Sequence, residues 1–132
     1  MFDSSVLIAL ERRGAALEDL AVVAAAEPGA IAAITASELL VGAYRADSEQ
    51  RRLAREAFIE DILVRLPALP FDLIVARVHA GLWAGLLATG QLIGAQDLII
   101  AATAITYGYA VLTENLRDFR RVPGLDVRQP AW

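Results

Sequence analysis

Ala30-Ile31-Ala32-Ala33-Ile34-Thr35-Ala36-Ser37-Glu38-Leu39-Leu40 holds, in eleven residues, the pattern that sets the fold class. The run 30–34 is short, apolar and preceded by Pro28-Gly29, which suits a strand buried on both faces. Thr35 and Glu38 then have the spacing of a capping box, which opens a helix through Leu39, Leu40 and Tyr44. A buried strand that passes directly into a helix with an acid at the junction is the unit of a parallel sheet. The same unit recurs. Gly94-Ala95-Gln96-Asp97 opens an apolar helix to about Tyr107, with Gly108 just past its end. Tyr109 to Leu112 is a second buried strand, after which Asn115 caps a helical turn. Met1-Phe2-Asp3 is the stub of a strand, with Ser4 and Ser5 as N-cap types before Val6, Leu7, Ile8 and Leu10.

Between these units lie helical patterns at about 15–26, 49–65 and 71–88. The prolines of 66–70 leave room for only a very short strand, and Leu125-Asp126-Val127 is an edge strand. The pattern predicts one α/β domain over 1–132, with a mainly parallel sheet.

Hydrophobic residues make up 57% of the chain and mean hydropathy is +0.49, so a membrane span must be considered. The charge-free stretch from Leu98 to Thr113 falls short of the ~20 residues a spanning helix needs. No signal-peptide pattern opens the chain, because Asp3 comes at once. The expectation is a cytoplasmic protein with a very apolar interior or a large apolar interface.

Without cysteine, thiolate metal sites and thiol nucleophiles are excluded. All 12 basic residues are arginine, so chemistry that needs an active-site lysine is excluded too. That removes receiver-type signalling modules, haloacid-dehalogenase-like phosphatases and P-loop enzymes. A formal net charge of −4 argues against gripping nucleic acid by a basic surface alone. It leaves open action on phosphodiesters if metal ions carry the positive charge.

In a doubly wound sheet, ligands bind beyond the carboxyl ends of the strands. Asp3 ends the first strand, Glu38 lies past the second, and Asp118 lies past the strand ending at Leu112. Asp97 sits in the first turn of an apolar helix. Each acid has a local explanation: Asp3 in a turn, Glu38 and Asp118 at helix position N3, Asp97 at a helix N-terminus. Together they do not fit that explanation. Two carboxylates ~5 Å apart repel by about 3 kcal/mol at an effective dielectric of 20, so such a cluster calls for cations. Hard ions with oxygen ligands, Mg²⁺ or Mn²⁺, suit it. Asp3, Asp97 and another acid are candidate ligands, and Glu38 is a ligand or a general base. Ser5, Thr113 and Asn115 are placed to orient carboxylates, water or phosphate. Arg117, Arg120 and Arg121 flank the site as candidate contacts to the phosphates of the substrate.

Four segments also carry a resemblance. Asp3-Ser4-Ser5-Val6-Leu7-Ile8, Ile34-Thr35-Ala36-Ser37-Glu38-Leu39, Gly94-Ala95-Gln96-Asp97-Leu98-Ile99 and Thr113-Glu114-Asn115-Leu116-Arg117-Asp118-Phe119 resemble, in order, the four motifs of PIN domains. Their order and separations resemble the VapC toxins. The resemblance implies a three-layer α/β/α fold, a homodimer and a Mg²⁺- or Mn²⁺-dependent endoribonuclease. Its substrates would be structured RNA, transfer or ribosomal, and its inhibitor a VapB-type antitoxin. The antitoxin would lie in an apolar groove, for which the helices around 7–20 and 49–66 are candidates. The fourth acid of the family falls here on Asn115 or Asp118. The family's first strand is longer than Met1-Phe2, so a few residues are expected to precede Met1. The alternative is a PIN-fold binding partner with little nuclease activity, for which Asn115 in place of an acid would be the signature. His79 is expected on a surface or in a groove, Phe71 and Trp83 in the core or a dimer contact, and Arg51, Arg52 and Arg55 on a solvated face.

Overall fold

Adjacent residues of each strand face opposite ways, and the apolar core is accordingly divided in two. In the computed structural model, which describes residues 1–132, Phe2, Ile31 and Leu112 point into one apolar cluster, and Met1, Ala32 and Val111 into the other. That period-2 split puts a helical layer on each face of one sheet. The first layer comprises α1 (Ser4–Arg12), α2 (Asp19–Val23), α3 (Ala33–Tyr44) and α4 (Glu49–Arg65). On the other face lie α5 (Leu73–Ala88), α6 (Ala95–Tyr107) and α7 (Leu116–Phe119).

The strands are β1 (Ile31–Ala32), β2 (Ala68–Leu69), β3 (Val111–Leu112) and β4 (Val127–Arg128). β1 pairs with β2 and β3 with β4, both in parallel. The opening segment joins the two pairs. Phe2 N–H donates to Ala30 O at 2.9 Å, Leu112 N–H to Met1 O at 2.9 Å and Asp3 N–H to Leu112 O at 3.0 Å. The order β2, β1, residues 1–3, β3, β4 follows, with the opening stub at the centre. The expected mainly parallel α/β sheet is present.

Several boundaries differ from the sequence pattern. β1 ends at Ala32, so Ile34 is helical, and α3 starts at Ala33 with Ala32 at the cap position. Thr35 is therefore not an N-cap, and no side-chain cap bond forms. α1 begins at Ser4 with Asp3 at its cap position; the serines expected there are inside the helix. The helix expected at 15–26 shrinks to α2, because Ala25 and Ala26 take positive φ (53° and 60°) and turn the chain toward β1. Two helices away from the acid edge do use their caps: Ser48 accepts from Arg51 N–H at 3.2 Å, and Asp72 from Val75 N–H at 3.1 Å. Gly108, at φ 73°, ends α6 in the left-handed conformation as its position predicted.

No helix is long and apolar enough to cross a membrane. α5 is nevertheless apolar all round, with Arg77 its one charged residue. Only Val75 and Leu86 are buried on it, and Trp83 is exposed, as is Phe71 just before it. The core alternative for those two aromatics is thus corrected. His79 lies between their rings, 5.3 Å from Phe71 and 5.6 Å from Trp83.

Candidate active site

The carboxyl edge of the sheet brings together the residues that the sequence set apart. Asp3 leaves the central stub with only 4% of its surface exposed. Its Oδ2 accepts from Ser5 Oγ at 2.6 Å and from Thr113 Oγ1 at 2.8 Å. The same two hydroxyls are themselves held: Glu114 N–H donates to Ser5 Oγ at 3.1 Å, and Asn115 N–H to Thr113 Oγ1 at 2.9 Å. The loop after β3 is thereby tied to the start of α1 across the aspartate. Ser5 and Thr113 orient a carboxylate, the role their position suggested.

Asn115 stands at the N-cap position of α7 but caps nothing. Its Nδ2 group donates instead to Asp97 Oδ2 at 3.0 Å and to Asp118 Oδ2 at 3.1 Å. One neutral amide thus bridges two acids. Burial pushes the Asp97 carboxyl up to about 6, and the charges of Asp3 and Asp118 add to the rise, against the Asn115 hydrogen bond. Burial also raises Glu38; the Ser4 hydroxyl beside it opposes the rise, while Asp3 and Asp97 reinforce it. All four acids therefore belong to one electrostatic cluster, with Asp97 coupled to the other three. Ser4, which the sequence pattern marked only as a cap, is a further member. Its signal was its place in the hydroxyl pair after Asp3.

No group of three carboxylates is arranged to close on a single ion. The donor set still fits a hard cation. Every side-chain ligand on offer is oxygen, the acids repel, and Glu38 Oε2 is buried without a hydrogen-bond partner. Mg²⁺ typically takes one or two carboxylates, keeps several waters and adds substrate phosphate. Asp3 and Asp97 are the candidate ligands, and Glu38 and Asp118 are coupled electrostatically to Asp97. α1 and α3 begin directly beyond strand ends at this edge, and α6 brings Asp97 to it in its first turn.

Around this edge, Arg117 and Arg120 are exposed and have no carboxylate partner, whereas Arg121 is half-buried and donates to Leu92 O at 3.1 Å. Arg51, Arg52 and Arg55 are occupied within the chain. Arg51 pairs with Asp47 at 2.7 Å, Arg52 stands 3.9 Å from Glu56, and Arg55 donates to Gly42 O at 2.9 Å. They form the solvated, internally paired face the sequence suggested.

Comparison with known proteins bears on the family and the fold. The PIN-domain family profile matches residues 1–125. The ribonuclease VapC1 of Rickettsia felis is 37% identical over 127 residues, 96% of this chain and 92% of that one. A tRNA(fMet)-specific endonuclease VapC of Salmonella typhimurium is 37% identical over 98 residues, 74% of this chain and 71% of that one. Among solved structures, VapBC2 of Rickettsia felis bound to a promoter DNA fragment matches with a TM-score of 0.86 over 98% of this chain and 96% of that one. At 23% identity that match speaks for the fold alone. DNA-bound VapBC of Salmonella typhimurium, 28% identical, gives 0.84 over the same shares. The fold and the family match define a PIN-domain protein. The chain belongs to the PIN-domain family and, within it, to the VapC ribonucleases of toxin–antitoxin modules.

Proposed function

We propose that this chain is a Mg²⁺- or Mn²⁺-dependent endoribonuclease that hydrolyses phosphodiester bonds in structured RNA and is held in check by a VapB-type antitoxin. The coupling of Asp97 to Asp3, Glu38 and Asp118 at one sheet edge carries the proposal. A bound divalent ion there supplies positive charge for the phosphate and acidifies water. Asp3 is fixed by two hydroxyls and so provides a rigid anionic ligand. Asp97 is steered by Asn115, and Asp118 or Asn115 completes the pocket. Glu38, with its raised pKa, is the acid suited to receive the proton of the attacking water. The domain should cut transfer or ribosomal RNA when given Mg²⁺ or Mn²⁺ and lose that activity in EDTA. Cleavage that persists in EDTA favours a metal-free mechanism. Absence of cleavage with either ion favours a PIN fold that serves as a binding partner.

Arg117 and Arg120 are the free cations beside the pocket. Arg117→Ala and Arg120→Ala should each weaken RNA binding uniformly across sequences. Each should also reduce the slope of log affinity against log salt by about one charge. Filter binding across a salt series measures this, and an unchanged slope removes the arginines from the RNA surface.

The antitoxin is assigned to a cleft of about 370 Å³ between α1, α3 and α4, lined by Ile8, Leu39, Phe58 and Ile59 among others. The cleft lies in the region the helices around 7–20 and 49–66 were expected to form. Glu38 belongs both to this cleft and to the acid cluster, so a segment bound there reaches the active site. The module would act in the cytoplasm, where its RNA substrates are.

The homodimer is assigned to α5. Leu73, Ile74, Trp83 and Leu87 are 67%, 63%, 52% and 60% exposed on a helix with one charge, and a helix apolar all round is normally covered. Ala84→Arg, at an exposed position facing away from the buried Val75, should convert a dimer to a monomer in sedimentation. An unchanged dimer would move the interface elsewhere.

A further inference from the structure

In a folded protein a buried hydroxyl is almost always hydrogen-bonded, because leaving one unpaired costs about 1–3 kcal/mol. This chain has two buried side-chain polar atoms without a partner, Thr35 Oγ1 and Glu38 Oε2. They belong to residues three apart on α3, hence neighbours on one helix face.

The other threonines show how unusual Thr35 is. Thr103 donates to Ile99 O at 2.7 Å, Thr106 to Ala102 O at 2.7 Å and Thr89 to Gly85 O at 3.1 Å, each bonding back four residues. Thr113 bonds to Asp3. Thr35 is fully buried, yet makes no such bond to Ile31, the residue four back, which lies in β1. Valine would fill the same space without an unpaired hydroxyl.

We propose that Thr35 is a positioning residue for the cleavage reaction. Its hydroxyl donates to the inner oxygen of Glu38 when the acid pocket holds a divalent cation, and so fixes the direction of that carboxylate. The inference rests on the nuclease proposal. The hydroxyl rotates freely and a helical threonine has two accessible χ1 rotamers, so it can reach a carboxylate one turn away with little backbone movement. The unpaired state is then a cost carried by the metal-free fold, as is common where a site is organised for a later step.

The test uses the full chain with Thr35→Val and Thr35→Ser. Removing an unpaired hydroxyl without changing shape is neutral or stabilising. Thr35→Val should therefore melt in EDTA at or above the wild-type temperature. Its Mn²⁺ affinity by calorimetry, or its kcat for RNA with Mn²⁺, should fall about 10–100-fold, the usual loss for a residue that orients a metal ligand. The KM for RNA should be unchanged. Thr35→Ser, which keeps the hydroxyl, should restore both to within about threefold of wild type. Two results overturn the inference while leaving the nuclease proposal standing. One is Thr35→Val with wild-type Mn²⁺ affinity and kcat. The other is Thr35→Val that melts lower and loses activity only in proportion to its folded fraction. A wild-type chain that neither binds Mn²⁺ nor cuts RNA removes both proposals.

Discussion

Asp97→Asn is expected to cut RNA at less than about one-thousandth of the wild-type rate, a loss of roughly 4 kcal/mol of transition-state stabilisation. The substitution keeps the size and shape of the side chain and removes its charge. Asp97 is the acid coupled to Asp3 and Asp118, and Glu38 feels its charge in turn. Its amide replacement can still accept the Asn115 hydrogen bond through its own oxygen, so the fold has no reason to fail. Asp3→Asn should behave alike, because the Ser5 and Thr113 hydroxyls can rotate to meet an amide oxygen. Cleavage of a labelled RNA with Mn²⁺, alongside a melting curve for each variant, checks this. Activity within tenfold of wild type would remove Asp97 from the mechanism.

The second large effect is on stability against pH. In the folded chain, burial and then Asp3 and Asp118 raise the Asp97 carboxyl from its ordinary 3.8 to about 6. Between those values the folded state holds a proton that the unfolded state has released. The contribution of Asp97 is therefore full below about pH 4, is lost as pH rises through 6, and is spent above that, while the amino terminus, lowered by burial to about 6, acts the other way between pH 6 and 8. The loss from Asp97 is on the order of 2 kcal/mol, or roughly 5–10 °C in melting temperature for a chain of this size. Glu38 shifts the same way and adds to it. A divalent ion offsets the repulsion, and at a hundred times its dissociation constant it restores about 2.7 kcal/mol. In EDTA the melting temperature should fall between pH 4 and 6. At pH 7.5 Mn²⁺ should raise it again, and Asp97→Asn should flatten both responses. A melting temperature that rises from pH 4 to 6 in EDTA would contradict the electrostatic account.

The fold was legible where chain pattern and sheet geometry coincide. Pro28-Gly29 before an apolar run, Gly108 after one and the acids just beyond strand ends all mark features of a parallel sheet, and each was found in place. Strand limits were not legible. Once the helices are formed, Ile31–Ala32 is all of the run 30–34 that remains in a ladder, and Val111–Leu112 all of 109–112, so a five-residue apolar run such as 30–34 spans both a strand and the start of a helix. The supposed capping box failed for the same reason. Alanine and isoleucine at 33 and 34 can be helical, and α3 starts with them, so Thr35 and Glu38 fall inside it.

The grouping of the four acids was legible because each follows a strand or opens a helix at the same edge of the sheet. The contacts between them were not. Nothing in the spacing of Asn115 shows that its amide reaches Asp97 and Asp118 together, since that depends on how α7 packs against α6. The exposed apolar face of α5 was likewise hidden. A helix apolar on every side reads as buried, and no intrachain neighbour covers it here.

A crystal of the chain grown or soaked with Mn²⁺ and recorded at a wavelength where manganese scatters anomalously examines the central claim most directly. The account predicts one strong anomalous peak between the Asp3 and Asp97 carboxylates, at oxygen distances of about 2.0–2.3 Å, with Glu38 and Asp118 facing it. Manganese bound only elsewhere, or the four carboxylates turned to separate patches of solvent, would contradict it.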